Sequence, residues 1–265
     1  MRFCTLASGS KANATLVEVG ATRLLIDCGL GPRILAKRLA EAGVAPSSID
    51  AVVVTHEHID HMKGLAQAVA KWHWTVVSTA GTLAGLRDVP VDRRVRLPYG
   101  KAMTIGECVV ELVAVPHDAA EPAAVVVTSS RSGARLGVAT DLGHVPETLG
   151  AAFERLDYLV FESNHCESML RNGPYPPFLQ ARISSDRGHL SNRQTGALLQ
   201  RVAHRGLRQV LLAHLSQQNN EPKVALAAAA AVLTGSAFRG TIGCAAQDVV
   251  TYPGAERGGQ VEMAL

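Results

Sequence analysis

The sequence predicts an α/β fold in which two mixed β-sheets lie between layers of helices, with residues 1–265 forming one domain. Segments with the apolar pattern of strands alternate along the whole chain with segments of helical spacing, which is typical of layered α/β proteins. No linker, low-complexity segment or fixed-period repeat interrupts this order. With 47% hydrophobic and 18% charged residues, the composition is globular and excludes a disordered or fibrous protein.

The chain begins with a predicted meander of three strands, at Arg2–Ala7, Thr15–Val19 and Arg23–Asp27. Turn-forming residues separate these apolar runs. The next residues recur at helical spacing and predict an amphipathic helix that ends at Gly43. Ile49–Thr55 is apolar, rich in β-branched residues and too short for a helix, so it predicts a buried central strand.

The remaining strands are predicted at Val76–Val77, Val109–Val115, Ala123–Thr128, Leu136–Thr140, Leu159–Phe161 and Val210–Ala213. The remaining helices are predicted at Met62–Lys71, Pro146–Phe153, Ser191–His204 and Lys223–Leu233. Ser191 and Gln194 have the spacing of a capping box, which places a helix start at Ser191. The proline-rich segment Pro174–Pro177 is predicted to be a loop.

The sequence gives little indication of a membrane-spanning helix, a secretory signal or a disulfide framework. The longest apolar run, Val224–Leu233, is far shorter than the roughly 20 residues that cross a bilayer. The first residues lack the uninterrupted apolar stretch of a secretory signal. The five cysteines are odd in number and never form a C-x-x-C pair, which argues against a disulfide framework and a cysteine zinc site. We therefore expect a cytoplasmic protein without membrane partners.

A histidine-rich segment, Thr55-His56-Glu57-His58-Ile59-Asp60-His61, follows the predicted central strand and leads into a helix. In an extended segment, residues two apart point the same way, so His56 and His58 can converge on one point. Asp60 and His61 can face a second point. Imidazoles with a carboxylate suit zinc, manganese or iron. A polar loop that is histidine-rich by chance is disfavoured, because only 10 histidines are spread over 265 residues.

This H-x-H-x-D-H segment resembles the metal-binding motif of the metallo-β-lactamase fold superfamily, whose later ligand positions match His117, Asp141 and His214. The resemblance implies an αβ/βα sandwich fold. It also implies two divalent ions, one held by His56, His58 and His117, the other by Asp60, His61 and His214, with Asp141 bridging them. The β-lactamases themselves lack that bridging carboxylate, so antibiotic hydrolysis is not expected. Two such ions acidify a bridging water to hydroxide and neutralise charge on substrate oxygens, which suits phosphodiester hydrolysis.

Motifs outside the ligand set resemble the WalJ/YycJ family of bacterial metallo-β-lactamase-fold exonucleases. They are Leu6–Thr15, Leu25–Gly29, Phe161–His165, Gly188–Asn192 and His214–Ser216 with Asn219–Asn220, and they span essentially the whole chain. The resemblance implies degradation of DNA from 5′ ends with divalent metal. Ala12, Ile59 and Cys166 depart from the family pattern, which has Gly, Ser and Asp there, and none of these departures removes a ligand.

His189 directly precedes the predicted helix start at Ser191, where free amides attract phosphate. In the related tRNA 3′-processing enzymes, a glutamate on a strand and a histidine before such a helix together protonate the leaving oxygen. Glu162 and His189 match these two positions, so we expect His189 to be the general acid and Glu162 to orient it. A purely structural histidine is the alternative. Asp60 is expected to be catalytic as well as a ligand.

Phosphate contacts are expected from two sources. Polar residues near the motifs are the first: Ser8, Ser10, Asn13, Asn164, His165, Asn192 and Arg182. A plain strand turn explains the segment Ser8–Asn13 equally well. The second is a basic stretch, Arg171–Arg208, with seven arginines against the single acid Asp186. Clustered guanidinium groups suit a polyphosphate backbone, although arginines also cover helices as a solvated surface.

The sequence therefore predicts a metal-dependent phosphodiester hydrolase, and the family resemblance specifies a 5′-to-3′ DNA exonuclease using zinc or manganese, with iron as a further alternative. Nucleic acid is the expected partner, DNA rather than RNA. A small-molecule hydrolase acting on a cyclic phosphodiester or thioester, an RNA-processing nuclease and a non-catalytic binding protein remain alternatives. Only 73 positions separate Asp141 from His214, too few for the β-CASP domain of larger RNA-cleaving relatives. The oligomeric state is left open.

Overall fold

The structure, a computed structural model, describes residues 1–254 and 262–264. Backbone packing divides the chain into two units. Unit 1 comprises Met1–Ala114, Ala119–Ala134 and Ala246–Tyr252. Unit 2 comprises Val115–Asp118, Arg135–Ala245 and Pro253–Leu265. The prediction of one domain over the whole chain stays a prediction.

Unit 1 contains a six-stranded mixed sheet with strands in chain order. Its strands are β1 (Arg2–Ala7), β2 (Ala14–Val19), β3 (Thr22–Ile26), β4 (Ala51–Val53), β5 (Thr75–Ser78) and β6 (Arg94–Arg96). The first three pair antiparallel because short turns join them, whereas β3 to β6 pair in parallel. Parallel strands need crossover connections, and helices supply them.

The helices of unit 1 are α1 (Pro32–Glu41), α2 (Ile59–Met62), α3 (Leu65–Trp72) and α4 (Ala80–Gly85). Helix α1 buries Leu35 and Leu39 in the core that includes Leu25 and Val52 of the sheet. Three further strands pair antiparallel: β7 (Ala102–Ile105), β8 (Cys108–Ala114) and β9 (Ala123–Ser129). The alternating burial of β8 shows one buried and one more exposed face, as expected of an antiparallel strand.

Unit 2 contains a second mixed sheet, whose strands run in the order β14-β13-β12-β11-β10. Its strands are β10 (Arg135–Ala139), β11 (Tyr158–Glu162), β12 (Gln209–Ala213), β13 (Thr241–Cys244) and β14 (Glu262–Ala264). Strands β10 to β13 are parallel and β14 is antiparallel. The helices are α5 (Glu147–Ala152), α6 (Glu167–Asn172), α7 (Pro177–Ile183), α8 (Asn192–Val202) and α9 (Pro222–Leu233). Helix α8 packs against α9, and α9 packs against the sheet.

The fold class is confirmed: two mixed sheets are flanked by helices. The capping box at Ser191 is also confirmed, because Ser191 Oγ accepts from Gln194 N and Gln194 Oε1 accepts from Ser191 N. The helix predicted at Met62–Lys71 is instead two helices, α2 and α3, because the chain turns at Gly64 against the Leu30 carbonyl.

The sequence patterns missed several short elements. Strands β6, β7, β13 and β14 and helices α4, α6 and α7 were not predicted. The central strand is shorter than predicted, Ala51–Val53 rather than Ile49–Thr55. Strand β6 carries two arginines in three residues, so pairing with β5 rather than apolar pattern makes it a strand. The predicted loop Pro174–Pro177 ends where Pro177 begins α7.

All five cysteines are free, and none forms a disulfide. Burial raises the pKa of the Cys244 thiol to about 12, so this thiol is not a reactive nucleophile at neutral pH. Among the described residues, no helix has the length and apolar character needed to cross a bilayer.

Gly29 lies where three backbone segments of unit 1 meet, and replacing it by alanine is expected to destabilise the unit. An added Cβ would lie 1.8 Å from Asp60 O and 2.8 Å from Asn13 N. Since both neighbours are backbone atoms, the histidine-rich segment would have to move. We expect the free energy of unfolding to fall by about 3 kcal/mol, the upper end of the usual range for overpacking. The Tm should fall by roughly 6–12 °C.

Gly31→Ala is the matched control for thermal unfolding, because a Cβ on Gly31 meets no atom within 4 Å. Gly31 caps α1, so its replacement should cost at most about 1 kcal/mol. Equal melting temperatures for the two variants would contradict the close approach of Gly29 to Asp60.

Candidate functional site

The histidine-rich segment of unit 1 connects β4 to α2. The ring centroids of His56 and His58 are 4.6 Å apart, and those of His56 and His61 are 4.1 Å apart. His61 Nε2 lies 3.3 Å from Asp60 Oδ2. His56 and His61 are buried. The predicted grouping of three imidazoles and one carboxylate is therefore present within this unit.

Asp27 fixes His61 and was missed as a site residue by the sequence patterns. It follows β3 in a left-handed conformation with φ of 62°. Asp27 Oδ2 lies 2.8 Å from His61 Nδ1, and Oδ1 accepts a hydrogen bond from Thr55 N at 2.8 Å. A carboxylate that ends a buried strand inside Leu25–Gly29 is the signal that could have revealed it.

Asn13 and the turn before it lie beside the same segment. Asn13 Nδ2 donates to Asp60 Oδ2 at 3.1 Å and lies 3.0 Å from His61 Nε2, while Asn13 Oδ1 accepts from Gly9 N. Ser8 is buried and Ser10 is exposed. Asn13 therefore contacts two predicted ligands, and the phosphate contacts predicted for Ser8, Ser10 and Asn13 stay predictions.

In unit 2, three predicted site residues lie at the carboxyl ends of adjacent parallel strands. The register pairs Ala139 with Phe161 and Glu162 with Ala213, so the ends of β10, β11 and β12 form one edge. Asp141 and His214 directly follow this edge and both are left-handed, with φ of 63° and 55°. Such backbone conformations are uncommon for residues other than glycine and cluster at functional sites.

Glu162 is fully buried at the centre of this cluster. Its Oε1 lies 2.8 Å from His189 Nδ1 and 3.0 Å from His214 Nδ1. Its Oε2 accepts hydrogen bonds from the Leu142 and Leu190 amides. Asp141 Oδ1 lies 3.5 Å from His189 Nδ1 and 3.6 Å from His214 Nδ1. The side chains of Asp141, Glu162, His189 and His214 place one ligand atom each within 4.8 Å of one another.

The electrostatics make Glu162 a permanent anion. Burial by itself raises the pKa of Glu162, but the charge of His189 and hydrogen bonds from His189 and His214 outweigh it and lower the pKa to about 2. Burial lowers the pKa of His189, but the charge and hydrogen bond of Glu162 and the charge of Asp141 together raise it. His189 therefore holds a proton more readily than a free imidazole, as a general acid must.

His117 lies beside the same cluster. His117 Nδ1 lies 3.1 Å from Gly188 O, and its Nε2 lies 3.9 Å from Asp141 Oδ1. Burial is the largest influence on His117 and lowers its pKa, so the ring is neutral at pH 7. Gly188 leaves no space for a side chain, because an added Cβ would lie 2.2 Å from Ile183 O and 2.3 Å from Arg182 O.

The histidines have the hydrogen bonding of metal ligands. In four of them Nδ1 lies within hydrogen-bond distance of an acceptor: Thr55 Oγ1 for His56, Asp27 Oδ2 for His61, Gly188 O for His117 and Glu162 Oε1 for His214. An imidazole whose Nδ1–H donates in this way carries its lone pair on Nε2, which orients that nitrogen toward a metal. The donors in each unit therefore fit a divalent cation.

Two further residues predicted to contact phosphate, Asn164 and Asn192, form hydrogen bonds within unit 2. Asn164 Nδ2 donates to His214 O at 2.9 Å. Asn192 Oδ1 accepts from Ser163 Oγ at 2.7 Å and from Asn220 Nδ2 at 2.8 Å. These buried amides hold the ends of β11 and β12 in place. Asn220 was not predicted as a site residue, and the sequence signal for it is its place in the Asn219–Asn220 motif.

Arg182 and His165, the last two predicted phosphate contacts, both belong to unit 2. Arg182 is exposed, and its guanidinium bonds Asp118 Oδ2 at 2.6 and 3.0 Å. His165 is buried and lines a pocket beside α6. Neither assignment to phosphate is tested by these contacts, so both stay predictions.

Comparison with known proteins places this geometry in a family. The family model described as a beta-lactamase superfamily domain matches residues 22–215. The chain is 32% identical to exodeoxyribonuclease YycJ of Bacillus anthracis over 242 residues, 90% of this chain and 91% of the relative. It is 30% identical to exodeoxyribonuclease WalJ of Streptococcus pneumoniae, over 84% of this chain and 85% of the relative.

A solved structure supports the fold. The metallo-beta-lactamase fold protein YhfI from Bacillus subtilis aligns with a TM-score of 0.73 at 16% identity, over 94% of this chain and 98% of that chain. Together, the two mixed sheets and the histidine and aspartate clusters define a hydrolase of the metallo-β-lactamase fold. Within this superfamily, the chain belongs to the WalJ/YycJ family.

Proposed function

We propose that the chain is a metal-dependent phosphodiesterase that degrades DNA from 5′ ends. The observation that carries the proposal is the hydrogen bond between buried Glu162 and half-buried His189, whose Nδ1 lies 3.5 Å from Asp141 Oδ1. This arrangement serves hydrolysis of a substrate whose leaving oxygen needs a proton. Two relatives with at least 30% identity over most of the chain are exodeoxyribonucleases by name, which supports DNA as the substrate.

We propose that the seven ligands of the family pattern hold two divalent ions, zinc or manganese, with iron as a third candidate. When bound, such ions lower the pKa of a water molecule and neutralise charge on phosphate oxygens. Asp27, Asn13 and Glu162 orient ligand side chains. Asp60 is proposed to act both as a ligand and in catalysis.

His189 is proposed to deliver the proton that the leaving oxygen requires. Because ionised Glu162 only accepts hydrogen bonds, His189 Nδ1–H donates to it, and Nε2–H is the group that can reach the substrate. The negative charge of Glu162 stabilises the imidazolium before transfer. The loop that carries His189 is fixed by the bond from His189 N to Ile183 O at 2.8 Å.

The basic stretch Arg171–Arg208 supports a nucleic-acid partner only in part. Four of its arginines form surface ion pairs: Arg182 with Asp118, Arg193 with Glu167, Arg201 with Glu147 and Glu154, and Arg208 with Asp157. Within residues 1–254, Arg171, Arg187 and Arg205 form no ion pair. We propose that these three contribute most of the stretch's contact to phosphate.

The proposal is tested with duplex DNA labelled separately at each 5′ and 3′ end. Purified protein is incubated with manganese, zinc or iron, and with a chelator as control. Stepwise shortening from the 5′ ends, abolished by the chelator, is the expected result. Covalently closed circular DNA of the same sequence is the matched control, since an exonuclease leaves it intact.

Three outcomes would overturn the proposal. Cleavage of closed circles would indicate an endonuclease, and faster degradation of RNA of the same sequence would indicate RNA processing. Intact DNA together with hydrolysis of bis(p-nitrophenyl) phosphate by metal-loaded protein would indicate a small-molecule hydrolase. A cytoplasmic location is part of the proposal.

A further inference from the structure

A pocket of about 440 Å³ lies in unit 2 between α6, α7 and the first turn of α8. Its volume is in the range of small-ligand sites and is sufficient for a mononucleotide. Its lining includes two cationic side chains, Arg171 and Arg193. It also includes three apolar residues, Leu170, Pro177 and Ala181. A ligand with an anionic group and an apolar or planar body would match this lining.

His165 lines this pocket and is the strongest sign of a ligand. It is only 2% exposed, and its Nδ1 makes no hydrogen bond to any described residue. Leaving a buried polar atom unpaired is costly, so such atoms mark positions where a bound group completes the hydrogen bonding. Burial lowers the pKa of His165 to about 4, so at pH 7 the neutral ring can donate one hydrogen bond and accept another.

The charge of the pocket favours a phosphate. Arg193 Nε bonds Glu167 Oε1 at 2.9 Å, and the same carboxylate oxygen accepts a bond from Ser191 Oγ. Glu167 is therefore satisfied by these two residues. Arg171 forms no ion pair with residues 1–254, so its guanidinium and the remaining nitrogens of Arg193 are available to an anion. Guanidinium groups bind phosphate oxygens in pairs, which gives both charge and orientation.

The pocket adjoins the general-acid pair along the chain. Glu162 ends β11, and His165 is three residues later. The segment from Ser184 to Ser191 begins and ends at the pocket wall and carries His189 between them. Glu162 and His189 are close enough for their charges to act on His165. A strand bound in the pocket would thus continue toward His189.

We propose that this pocket binds the phosphorylated terminal nucleotide of the DNA strand, with its phosphate on Arg171, Arg193 and His165 and its base or sugar against Leu170 and Pro177. This inference rests on the proposed function, since it explains why cleavage would begin at a strand end. A volume of about 440 Å³ matches a single nucleotide, which fits a strand terminus better than an internal position.

The first test is binding of deoxyadenosine monophosphate to the metal-loaded full chain by calorimetry, with deoxyadenosine and inorganic phosphate as comparison probes. Arg171→Ala should weaken binding of the nucleotide about tenfold or more, the effect of losing a charged hydrogen bond. Ala181→Trp, at an exposed position of α7, should fill the pocket and abolish binding. Arg208→Ala is the matched control, because Arg208 is exposed, belongs to the same basic stretch, pairs with Asp157 and does not line this pocket.

The second test is steady-state cleavage of duplexes with a 5′-phosphate or a 5′-hydroxyl. The wild-type chain should prefer the 5′-phosphate, and Arg171→Ala should raise KM for that end about tenfold with kcat unchanged. Hydrolysis of bis(p-nitrophenyl) phosphate should be the same in the wild-type chain, Ala181→Trp and Arg208→Ala, which separates a pocket effect from a damaged site.

The outcomes distinguish the two proposals. If both pocket variants bind the nucleotide as the wild-type chain does, the pocket assignment is wrong, whether or not DNA is degraded. If the nucleotide binds through Arg171 but no DNA is degraded, the pocket stands as a nucleotide site and the exonuclease proposal fails.

Discussion

Replacing Asp141 by asparagine is expected to lower DNA cleavage at least about 10³-fold, because losing a metal ligand removes several kcal/mol of transition-state stabilisation. Asp141 Oδ1 lies within 4 Å of nitrogens of His117, His189 and His214, so its charge acts on three imidazoles at once. Asparagine keeps the side-chain volume and tolerates the left-handed backbone of this position, so the substitution isolates the charge.

The measurement pairs cleavage rate with metal content per chain by elemental analysis. The Asp141→Asn protein should lose bound metal while unfolding within a few degrees of the wild-type temperature. Asp92→Asn is the control, because Asp92 is an exposed aspartate on a 3₁₀ turn of unit 1. Full metal content with full activity in Asp141→Asn would rule out Asp141 as a ligand.

Replacing His189 by alanine is expected to lower kcat for DNA by about 10²–10⁴, the usual contribution of a general acid. The loss should depend on the leaving group. The alkoxide expelled from DNA needs a proton, whereas p-nitrophenolate is a stable anion. Hydrolysis of bis(p-nitrophenyl) phosphate should therefore fall far less than cleavage of DNA, while metal content stays unchanged.

Two further variants complete this experiment. Glu162→Gln should reproduce most of the loss on DNA, because the amide no longer stabilises a charged His189. His144→Ala is the matched control: His144 is exposed, and its Nδ1 lies 3.1 Å from Asp186 O in the loop before His189. Equal losses on both substrates, together with reduced metal content, would instead assign His189 as a ligand.

The chemistry of the site could be predicted from local patterns. His56, His58, Asp60 and His61 lie within six residues, and ligation by divalent metals restricts the residue types to a few. Asp141, Glu162 and His214 follow or end apolar strands, and the carboxyl ends of parallel strands meet at one edge. Strand prediction places these residues at strand ends, and the family resemblance assigned them to one site.

Several elements had no such local signal. Strand β6 (Arg-Val-Arg) and helix α7 have little apolar periodicity, and pairing or packing rather than propensity makes them ordered. The sequence alone does not distinguish the arginines of the basic stretch that form ion pairs from those that do not. Tertiary ion pairs engage four of them, whereas Arg171, Arg187 and Arg205 form no ion pair within residues 1–254.

The sequence by itself determined the fold class, because strand and helix periodicity is local, whereas the expected later ligands and the Glu162–His189 pair came from its resemblance to known families. Only the tertiary structure decided which groups orient the ligands and where a pocket forms. Asp27 and His61 are 34 positions apart, and Gly188 and His117 are 71 apart. Hydrogen bonds between residues so far apart produce no periodic pattern in the sequence, since they form only after the strands and helices have packed.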